Sequence, residues 1–360
     1  MAQYSVGIAA AKPTLDRARA LVLQFGWNTT AYQILNPGFR LWFSERYPAV
    51  VGYVRCSRRR VTGGAPVCAP EDLANVTAEF ESEAAAMGER VVYFGAETRL
   101  QTLYQDSSQH SRILLGAQPS WHPNAWASVI AGHASVRAQL HRARNKGVRM
   151  EHWPSDRAEQ HPLLQRCLGE WLQQRPLPPL HFLIEPDTLG ELRDRKVFVA
   201  LQGEYPVGFL VASPIPARCG WLTEQFVRGD GAPNGTAELM IDTAIRWMAE
   251  HKAQYVTLGL APLSTHAPVT VQTDPLWLRL LFRWTRAHGR RFYNFDGLDA
   301  FKAKFTPEQW EPVFAISNEP GFSVRSLHAI AAAFTSGAPV RTVMRGLAKA
   351  VRQEADWLIH

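Results

Sequence analysis

The order of strand-like and helix-like segments in the second half of the chain limits the folds that it can adopt. Apolar runs rich in Val, Phe and Leu alternate there with turn residues and one amphipathic helix. A hairpin, a third strand, a loop, a helix and a fourth strand are predicted in that order, at 196–201 with 207–212, 220–228, 229–235, 236–251 and 255–258. Because a helix between two strands is typical of a parallel crossover, this order predicts an α/β sheet.

The first half of the chain alternates in the same way. Its predicted strands are at 49–55, 60–67, 90–94, 112–115 and 148–153, and its predicted helices begin near 14, 71 and 123. Further helices are predicted at 156–174 and 276–288. We therefore predict two tandem α/β domains of mixed sheets flanked by helices, at 1–156 and 157–322, followed by basic amphipathic helices at 323–360.

Composition indicates a globular chain and leaves two explanations of its charge. Of the 360 residues, 46% are apolar and 20% are charged. The net charge is +7, and 7 of the 39 basic residues are lysine, so arginine dominates. Arginine suits bidentate contacts to phosphate, which favours an anionic partner. A solvated basic surface without such a partner is the alternative.

The sequence lacks the patterns of metal sites, secretion and membrane insertion. Its four cysteines form no C-x-x-C pair and are expected to be buried free thiols in a reducing compartment: Cys56, Cys68, Cys167 and Cys219. No HExxH motif, signal peptide or membrane-length apolar run is present. We therefore expect a cytoplasmic protein without a metal ion.

The loop before the predicted helix at 236–251 carries part of a phosphate-binding motif. It reads Arg228-Gly229-Asp230-Gly231-Ala232-Pro233. The surrounding order of elements is that of acyltransferases of the N-acetyltransferase (GNAT) type, whose Q/R-x-x-G-x-G/A loop holds the pyrophosphate of acetyl-CoA. Pro233 stands where that motif has Gly or Ala, and proline has no N–H to donate to a phosphate. The sequence thus predicts a GNAT-like fold and argues against CoA.

Three further stretches are more specific. They are APNGTAELM at 232–240, LGLAPLS at 258–264, and FYNFDGL at 292–298, which continues as FKAKF at 301–305 and WEP at 310–312. Together they resemble the catalytic domain of the aminoacyl-phosphatidylglycerol synthases, also called phosphatidylglycerol lysyltransferases or multiple peptide resistance factors. Residues 26–53 and 64–66 are similar to the same family, so the resemblance covers most of the chain.

The resemblance implies two tandem GNAT-like domains and a defined reaction. An amino acid would pass from aminoacyl-tRNA to the hydroxyl of a polar lipid such as phosphatidylglycerol, without a cofactor. The implied partners are aminoacyl-tRNA and an anionic phospholipid or membrane surface, and no DNA is expected. Full-length lipid-modifying members carry an N-terminal bundle of membrane helices, which this sequence does not contain. Two other functions stay open: a CoA-dependent N-acyltransferase, and a non-enzymatic module that binds tRNA or membrane.

Two lysines and a glutamate are the predicted catalytic residues. Lys302 and Lys304 lie two apart in an aromatic setting, so they would share a face of a strand but diverge on a helix. Lys304 is predicted to contact a phosphate or the developing oxyanion. Glu311, between Trp310 and Pro312, could hold a lysine or the ammonium group of the substrate. Solvated surface side chains are the alternative for all three.

The predicted substrate-binding residues fall into two groups. One lies around the start of the helix at 236–251, where backbone N–H groups could bind an anion and Thr236 could be the N-cap: Arg228, Asn234, Thr236 and Glu238. The other could bind the acceptor, the ammonium group or the wall of the site: Tyr293, Asn294, Ser264 and Glu224. Ser264 is in no G-x-S-x-G motif, so no covalent intermediate is predicted.

The C-terminal segment forms a basic amphipathic pattern. Val340, Met344, Leu347, Val351 and Leu358 fall on one side of a predicted helix, with four basic residues on another. Such a helix could lie on an anionic membrane, which would place the protein peripherally on the inner membrane face. Alternatively, its apolar stripe packs on the protein itself.

Overall fold

A computed structural model describes residues 12–175, 181–267 and 294–335. Within these residues one mixed sheet contains twelve strands. The strands are β1 (Arg40–Phe43), β2 (Val50–Cys56), β3 (Arg59–Gly63), β4 (Arg90–Ala96), β5 (Ser111–Trp121), β6 (Val148–Trp153), β7 (Lys196–Gln202), β8 (Tyr205–Ile215), β9 (Gly220–Arg228), β10 (Tyr255–Thr257), β11 (Ala261–Pro262) and β12 (Gln309–Ser317).

Helices cover both halves of the sheet. They are α1 (Lys12–Phe25), α2 (Leu73–Ala86), α3 (Thr98–Leu103), α4 (Trp126–Gly132), α5 (Ala134–Asn145), α6 (Ser155–Ala158), α7 (Pro162–Gln173), α8 (Thr236–Glu250), α9 (Phe295–Ala303) and α10 (Val324–Phe334). The predicted α/β class, with mixed strands flanked by helices, is confirmed. The predicted helices at 276–288 and 340–358, and Tyr293, lie outside the described residues.

The same order of elements occurs twice along the sheet. In the first half, β1, β2 and β3 are antiparallel neighbours, and α2 then leads to β4, which is parallel to β3. In the second half, β6 to β9 are antiparallel neighbours, and α8 leads to β10, which is parallel to β9. This repetition is the tandem arrangement that the sequence predicts. The boundary after residue 156 stays a prediction, because one sheet runs through both halves.

Strand β12 joins the two halves, and it is not among the predicted strands. The strand order is β1-β2-β3-β4-β12-β5-β10-β9-β8-β7-β6, so β12 lies between β4 and β5. Its register with β5 runs from Gln309 opposite Ser120 to Ser317 opposite Ser111. A C-terminal strand therefore completes the centre of the sheet.

Helix α8 packs on the second half of the sheet through an almost wholly apolar inner surface. Its buried residues include Leu239, Met240, Ile241, Ala244, Ile245 and Met248. They belong to one core cluster with Phe198 and Leu210 of the sheet and with Leu140 of α5. Burial of such side chains contributes about 1.5–3 kcal/mol each, which fixes the position of the helix.

Two helices predicted as continuous are broken. The predicted helix at 123–146 is a short 3₁₀ turn followed by α4 and α5, with His133 extended between them. Gly132 has low helix propensity, and the His133 ring forms a 2.6 Å hydrogen bond with the hydroxyl of Thr306, which holds the break. The predicted helix at 156–174 is broken before Pro162, since proline is tolerated only in a first helical turn.

Two smaller predictions also differ from the structure. Strand β3 ends at Gly63 rather than at residue 67, because Gly64 adopts a left-handed backbone with φ of +84°. Cys56, Cys68 and Cys167 are buried free thiols, as predicted, but Cys219 is exposed at a left-handed turn, so that part of the prediction is wrong. Among the described residues no helix is long and apolar enough to cross a membrane.

Candidate active site

The predicted catalytic lysines lie at the carboxyl ends of the two parallel strands of the second half. Strand β9 ends at Arg228 and is followed by the loop that leads into α8. Strand β10 ends at Thr257 and is followed by Leu258–Leu260. Ligands of α/β sheets bind outside the carboxyl ends of adjacent parallel strands. The side chains of α9 that reach these two ends therefore define a candidate site.

Helix α9 sets the direction of both lysines. Asn294 is its N-cap, and the Asn294 Oδ1 accepts a 2.9 Å hydrogen bond from the N–H of Gly297. Lys302 lies in the last turn and Lys304 is the C-cap. On a helix, residues two apart point in different directions, and the two ammonium groups accordingly contact different strand ends.

Lys302 is buried against backbone. Its Nζ donates to the carbonyl oxygens of Gly259 at 2.7 Å and Leu260 at 2.9 Å, and the residue is 3% exposed. Burial lowers the pKa of Lys302 to about 7, against the opposing charge of Asp299. Lys302 thus fixes the chain that leaves β10 through two of its carbonyl groups.

Lys304 is the more accessible lysine. Its Nζ forms an ion pair with Glu238, and the Lys304 side chain is 30% exposed. The same ammonium group lies 4.3 Å from the ring centroid of Phe301 and 5.4 Å from that of Phe305. Aromatic faces and one carboxylate therefore hold a cation at the N-terminus of α8.

The start of α8 differs in one detail from the prediction. Gly235, with φ of +94°, occupies the N-cap position, so the prediction that Thr236 is the N-cap is wrong. The Thr236 hydroxyl instead donates to the Pro233 carbonyl at 2.6 Å. A Cβ at Gly235 would lie 2.1 Å from the backbone oxygen of Gln139. Glu238 follows in the first turn, where the helix dipole favours a carboxylate.

The loop before α8 uses its own N–H groups internally. The N–H groups of Gly229, Ala232 and Thr236 donate to the carbonyls of Val207, Gly229 and Pro233. The Asp230 N–H donates to the Glu170 carboxylate at 3.0 Å. Arg228 and Asn234 are exposed at its two ends. Three N–H groups of the motif at 228–233 are therefore already paired, and Pro233 has no N–H.

Glu311 does not orient a lysine. Its carboxylate accepts two hydrogen bonds from Arg218, at 2.8 and 2.6 Å, and one from the Tyr255 hydroxyl at 3.0 Å. Gln118 donates to it as well, at 3.1 Å. Burial alone would raise the pKa of Glu311, but the hydrogen bonds and charge of Arg218 outweigh it and lower that pKa. The hypothesis that Glu311 holds Lys304 is therefore wrong.

A second carboxylate completes this cluster. Glu97, at the end of β4, accepts the Thr29 N–H at 2.6 Å, and its other oxygen lies 3.4 Å from Arg218. Burial raises the pKa of Glu97 to about 7, although Arg218 opposes the shift. Arg218 thus links two carboxylates, that of Glu97 directly after β4 and that of Glu311 on β12. No local sequence motif marks Arg218, Glu97 or Tyr255, so none of the three is a predicted site residue.

The remaining predicted residues lie apart from the lysines or in supporting positions. Glu224 forms a buried ion pair with Arg195, at 2.8 Å, so its carboxylate is already neutralised. Ser264 is buried, and its hydroxyl accepts the His266 N–H at 3.2 Å. The His266 ring stacks on Trp310 at 4.5 Å, and its Nε2 lies 3.6 Å from Asp299. The described residues contain no group of three or more metal-ligating side chains.

The fold and site define a GNAT-like α/β protein in which helix α9 places two lysines beside the carboxyl ends of β9 and β10. The chain belongs to the family described as "Phosphatidylglycerol lysyltransferase, C-terminal", whose profile matches residues 19–317. A phosphatidylglycerol lysyltransferase of Bacillus subtilis (strain 168) is 25% identical over 297 residues, which are 81% of this chain. The match spans 34% of that relative, about a third of its length.

Solved structures support the same fold. The C-terminal domain of a protein described as a lysylphosphatidylglycerol synthetase from Agrobacterium fabrum matches 90% of this chain and 98% of its own, with a TM-score of 0.75 and 21% identity. The structure of L-PGS from Bacillus licheniformis matches 95% and 98%, with a TM-score of 0.69 and 19% identity.

Proposed function

We propose that this protein transfers an amino acid from aminoacyl-tRNA to the hydroxyl group of a polar lipid such as phosphatidylglycerol. Family membership supports the reaction class. The observation that carries the proposal is the partly exposed Lys304 ammonium group, held by Glu238 at the carboxyl ends of β9 and β10. The proposed partners are aminoacyl-tRNA and an anionic membrane surface, to which the protein would bind peripherally from the cytoplasmic side.

The reaction is a transesterification, and it needs no covalent enzyme intermediate. The acceptor hydroxyl oxygen forms a bond to the ester carbonyl carbon, and the bond to the ribose oxygen of the tRNA breaks. The proton of the acceptor hydroxyl ends on that ribose oxygen. Negative charge develops on the carbonyl oxygen between these events, and a fixed cation stabilises it. In this proposal Lys304 supplies the cation, and Glu238 fixes its position.

Lys302 has a different role in the proposal. Its two hydrogen bonds hold the carbonyls of Gly259 and Leu260, which form the wall of the site after β10. A displacement of about 1 Å in such a wall can cost about 100-fold in rate, so Lys302 would influence turnover by positioning.

The paired N–H groups and the proline of the loop before α8 argue against the CoA-dependent alternative. A GNAT-type loop holds pyrophosphate through free backbone N–H groups. Here the N–H groups of Gly229, Asp230 and Ala232 already donate to acceptors within the protein, and Pro233 has no backbone N–H. A non-enzymatic module would not require the Lys304–Glu238 arrangement.

Mass spectrometry of lipid extracts tests the proposal in cells. Extracts from cells with the gene, without it, and with Lys304→Ala would be compared. We expect a lipid whose mass exceeds that of phosphatidylglycerol by one aminoacyl residue, present only with the unaltered gene. Identical lipid profiles in all three strains, with the protein expressed, would contradict a lipid acceptor.

A further inference from the structure

Helix α5 belongs to a stretch of the chain that has no carboxylate side chain. Between Asp106 and Glu151 the sequence contains neither Asp nor Glu. Within this stretch α5 and the residue after it carry four cations: Arg137, Arg142, Arg144 and Lys146. Arg142, Arg144 and Lys146 are exposed, and Arg137 is half-buried. One helix therefore presents positive charge that its own segment does not neutralise.

The basic helix adjoins the candidate active site. Helices α5 and α8 pack together closely: a Cβ atom at Gly235 would lie only 2.1 Å from the backbone oxygen of Gln139. At its other end, His133 bonds to Thr306, two residues after Lys304. The chain that carries the catalytic lysine and the N-terminus of α8 are thus both held against α5.

Few carboxylates face these cations from the neighbouring elements. Asp242 of α8 lies 3.5 Å from Arg144 and also accepts from Arg246, at 2.9 Å, so one charge is shared by two guanidinium groups. Arg137 donates to the carbonyls of Ile130 and Ala131 at the end of α4, and Arg142 to the Gln139 amide. Counting Arg246, five cations face one carboxylate among these residues, which leaves a strong local positive potential.

We propose that this α5 surface binds the phosphate backbone of the aminoacyl-tRNA, next to the point where its 3′ end must enter the site. We define the α5 surface as Arg137, Arg142, Arg144, Lys146 and Arg246. The inference rests on the proposed function, because it names where the donor binds. Arginine forks match phosphate oxygens, and neutralised phosphates release counterions, so such contacts dominate affinity for nucleic acid.

The apolar residues of α5 favour RNA over a membrane as the occupant. Val136, Leu140 and Ala143 are buried in the core cluster shared with α8, so the apolar face of the helix is already covered. The other exposed positions of the helix are small or polar: Ala134, Ser135, Ala138, His141 and Asn145. A helix that lies in a membrane interface needs apolar side chains for the acyl region, and α5 has none available.

Binding of uncharged total tRNA to the full chain tests the α5 surface without requiring catalysis. The double variant Arg142→Glu with Lys146→Glu removes two cations of the surface. The matched control, Arg46→Glu with Arg325→Glu, makes the same charge change at exposed positions on the other half of the sheet, after β1 and on α10, which packs on β2 and β3. Affinity would be measured by fluorescence anisotropy at several salt concentrations. A milder variant, Arg142→Gln with Lys146→Gln, covers the case in which charge reversal lowers the melting temperature.

We expect the α5 variant to bind tRNA at least tenfold more weakly than the unaltered protein. The slope of log affinity against log salt concentration should be smaller in magnitude by about 1 to 2. The control should bind tRNA like the unaltered protein. Equal losses of tRNA affinity in the variant and the control, or no loss in either, would contradict tRNA binding by the α5 surface. The proposed function would be unaffected by that result. Loss of binding to phosphatidylglycerol vesicles with unchanged tRNA affinity would assign the surface to the membrane and overturn the inference. Absence of tRNA binding by the unaltered protein would overturn both proposals.

Discussion

Lys304 and Glu238 form an ion pair that joins the end of α9 to the first turn of α8. The two residues are 66 positions apart in the chain, yet their side chains meet at the first turn of α8, just after the loop that follows β9. Because the lysine side chain keeps 30% of its surface exposed, its ammonium group can contact a substrate oxygen while Glu238 holds it in place. This relationship makes Lys304 the centre of the proposed mechanism.

Replacement of Lys304 should affect turnover far more than stability. We expect Lys304→Ala to lower turnover about 100-fold or more, the usual cost of one oxyanion donor. The melting temperature should fall only modestly, since Lys304 is partly exposed and the dipole of α8 still favours the Glu238 carboxylate that it leaves behind. Steady-state kinetics and thermal denaturation measure the two effects. Lys12→Ala, at an exposed position on α1, is the control, and turnover equal to that control would remove Lys304 from the mechanism.

Replacement of Glu311 should act through stability. Glu311→Gln leaves Arg218 without its bidentate carboxylate, and breaking a buried pair costs about 3 kcal/mol or more. We expect a lower free energy of unfolding in denaturant titrations, unlike the result for Lys304→Ala. Glu308→Gln, on the exposed loop before β12, is the control. A stable Glu311→Gln protein with normal thermal unfolding and low turnover would return Glu311 to a catalytic role.

The buried Lys302 should make stability depend on pH in a defined direction. Its pKa is about 7 in the folded protein and 10.5 in its ordinary state. Between these values the unfolded chain binds more protons than the folded one, so this group makes the folded state more stable as pH rises. The slope is at most about 1.4 kcal/mol per pH unit.

Denaturant titrations from pH 7 to 9 measure this contribution. Lys302→Met should lack the rise that the unaltered protein shows, and Lys252→Met, at an exposed lysine, should keep it. Parallel stability curves for the Lys302 variant and the unaltered protein would show that the amine titrates normally, contrary to its burial.

The C-terminal segment gives a prediction from sequence alone. If its apolar stripe faces lipid, the protein should co-sediment with anionic but not zwitterionic vesicles, and less so as salt rises. Deletion of residues 340–360 should then abolish vesicle binding while tRNA affinity is unchanged. Vesicle binding that survives the deletion would show that the membrane contact lies elsewhere.

Local patterns predicted most strands and α8, because those features depend on short-range periodicity. Strand β12 was missed because Pro312 interrupts its sequence, and proline is rare in central strands. The structure tolerates it since β12 pairs with β4 only from Phe314 onward, and at Pro312 it pairs with β5 alone.

The partners of Glu311 could not be predicted for a different reason. Arg218 lies 93 residues before it, in a short 3₁₀ turn, and reaches it only because β12 inserts beside β5. Lys302 and Lys304 show a second limit: the sequence left a strand and a helix open for this segment, and only helix α9 separates the two side chains. Long-range pairing concealed the contact of Arg218 with Glu311, and an undecided local conformation concealed the separation of the lysines.

Transfer by the purified protein is the most direct test of the central claim. The protein would be incubated with total tRNA charged with labelled amino acids and with phosphatidylglycerol vesicles, and acetyl-CoA binding would be measured by calorimetry. We predict that label moves from tRNA into the lipid fraction, that Lys304→Ala abolishes most of this transfer, and that acetyl-CoA does not bind. Micromolar binding of acetyl-CoA, with no label released from tRNA, would contradict the account.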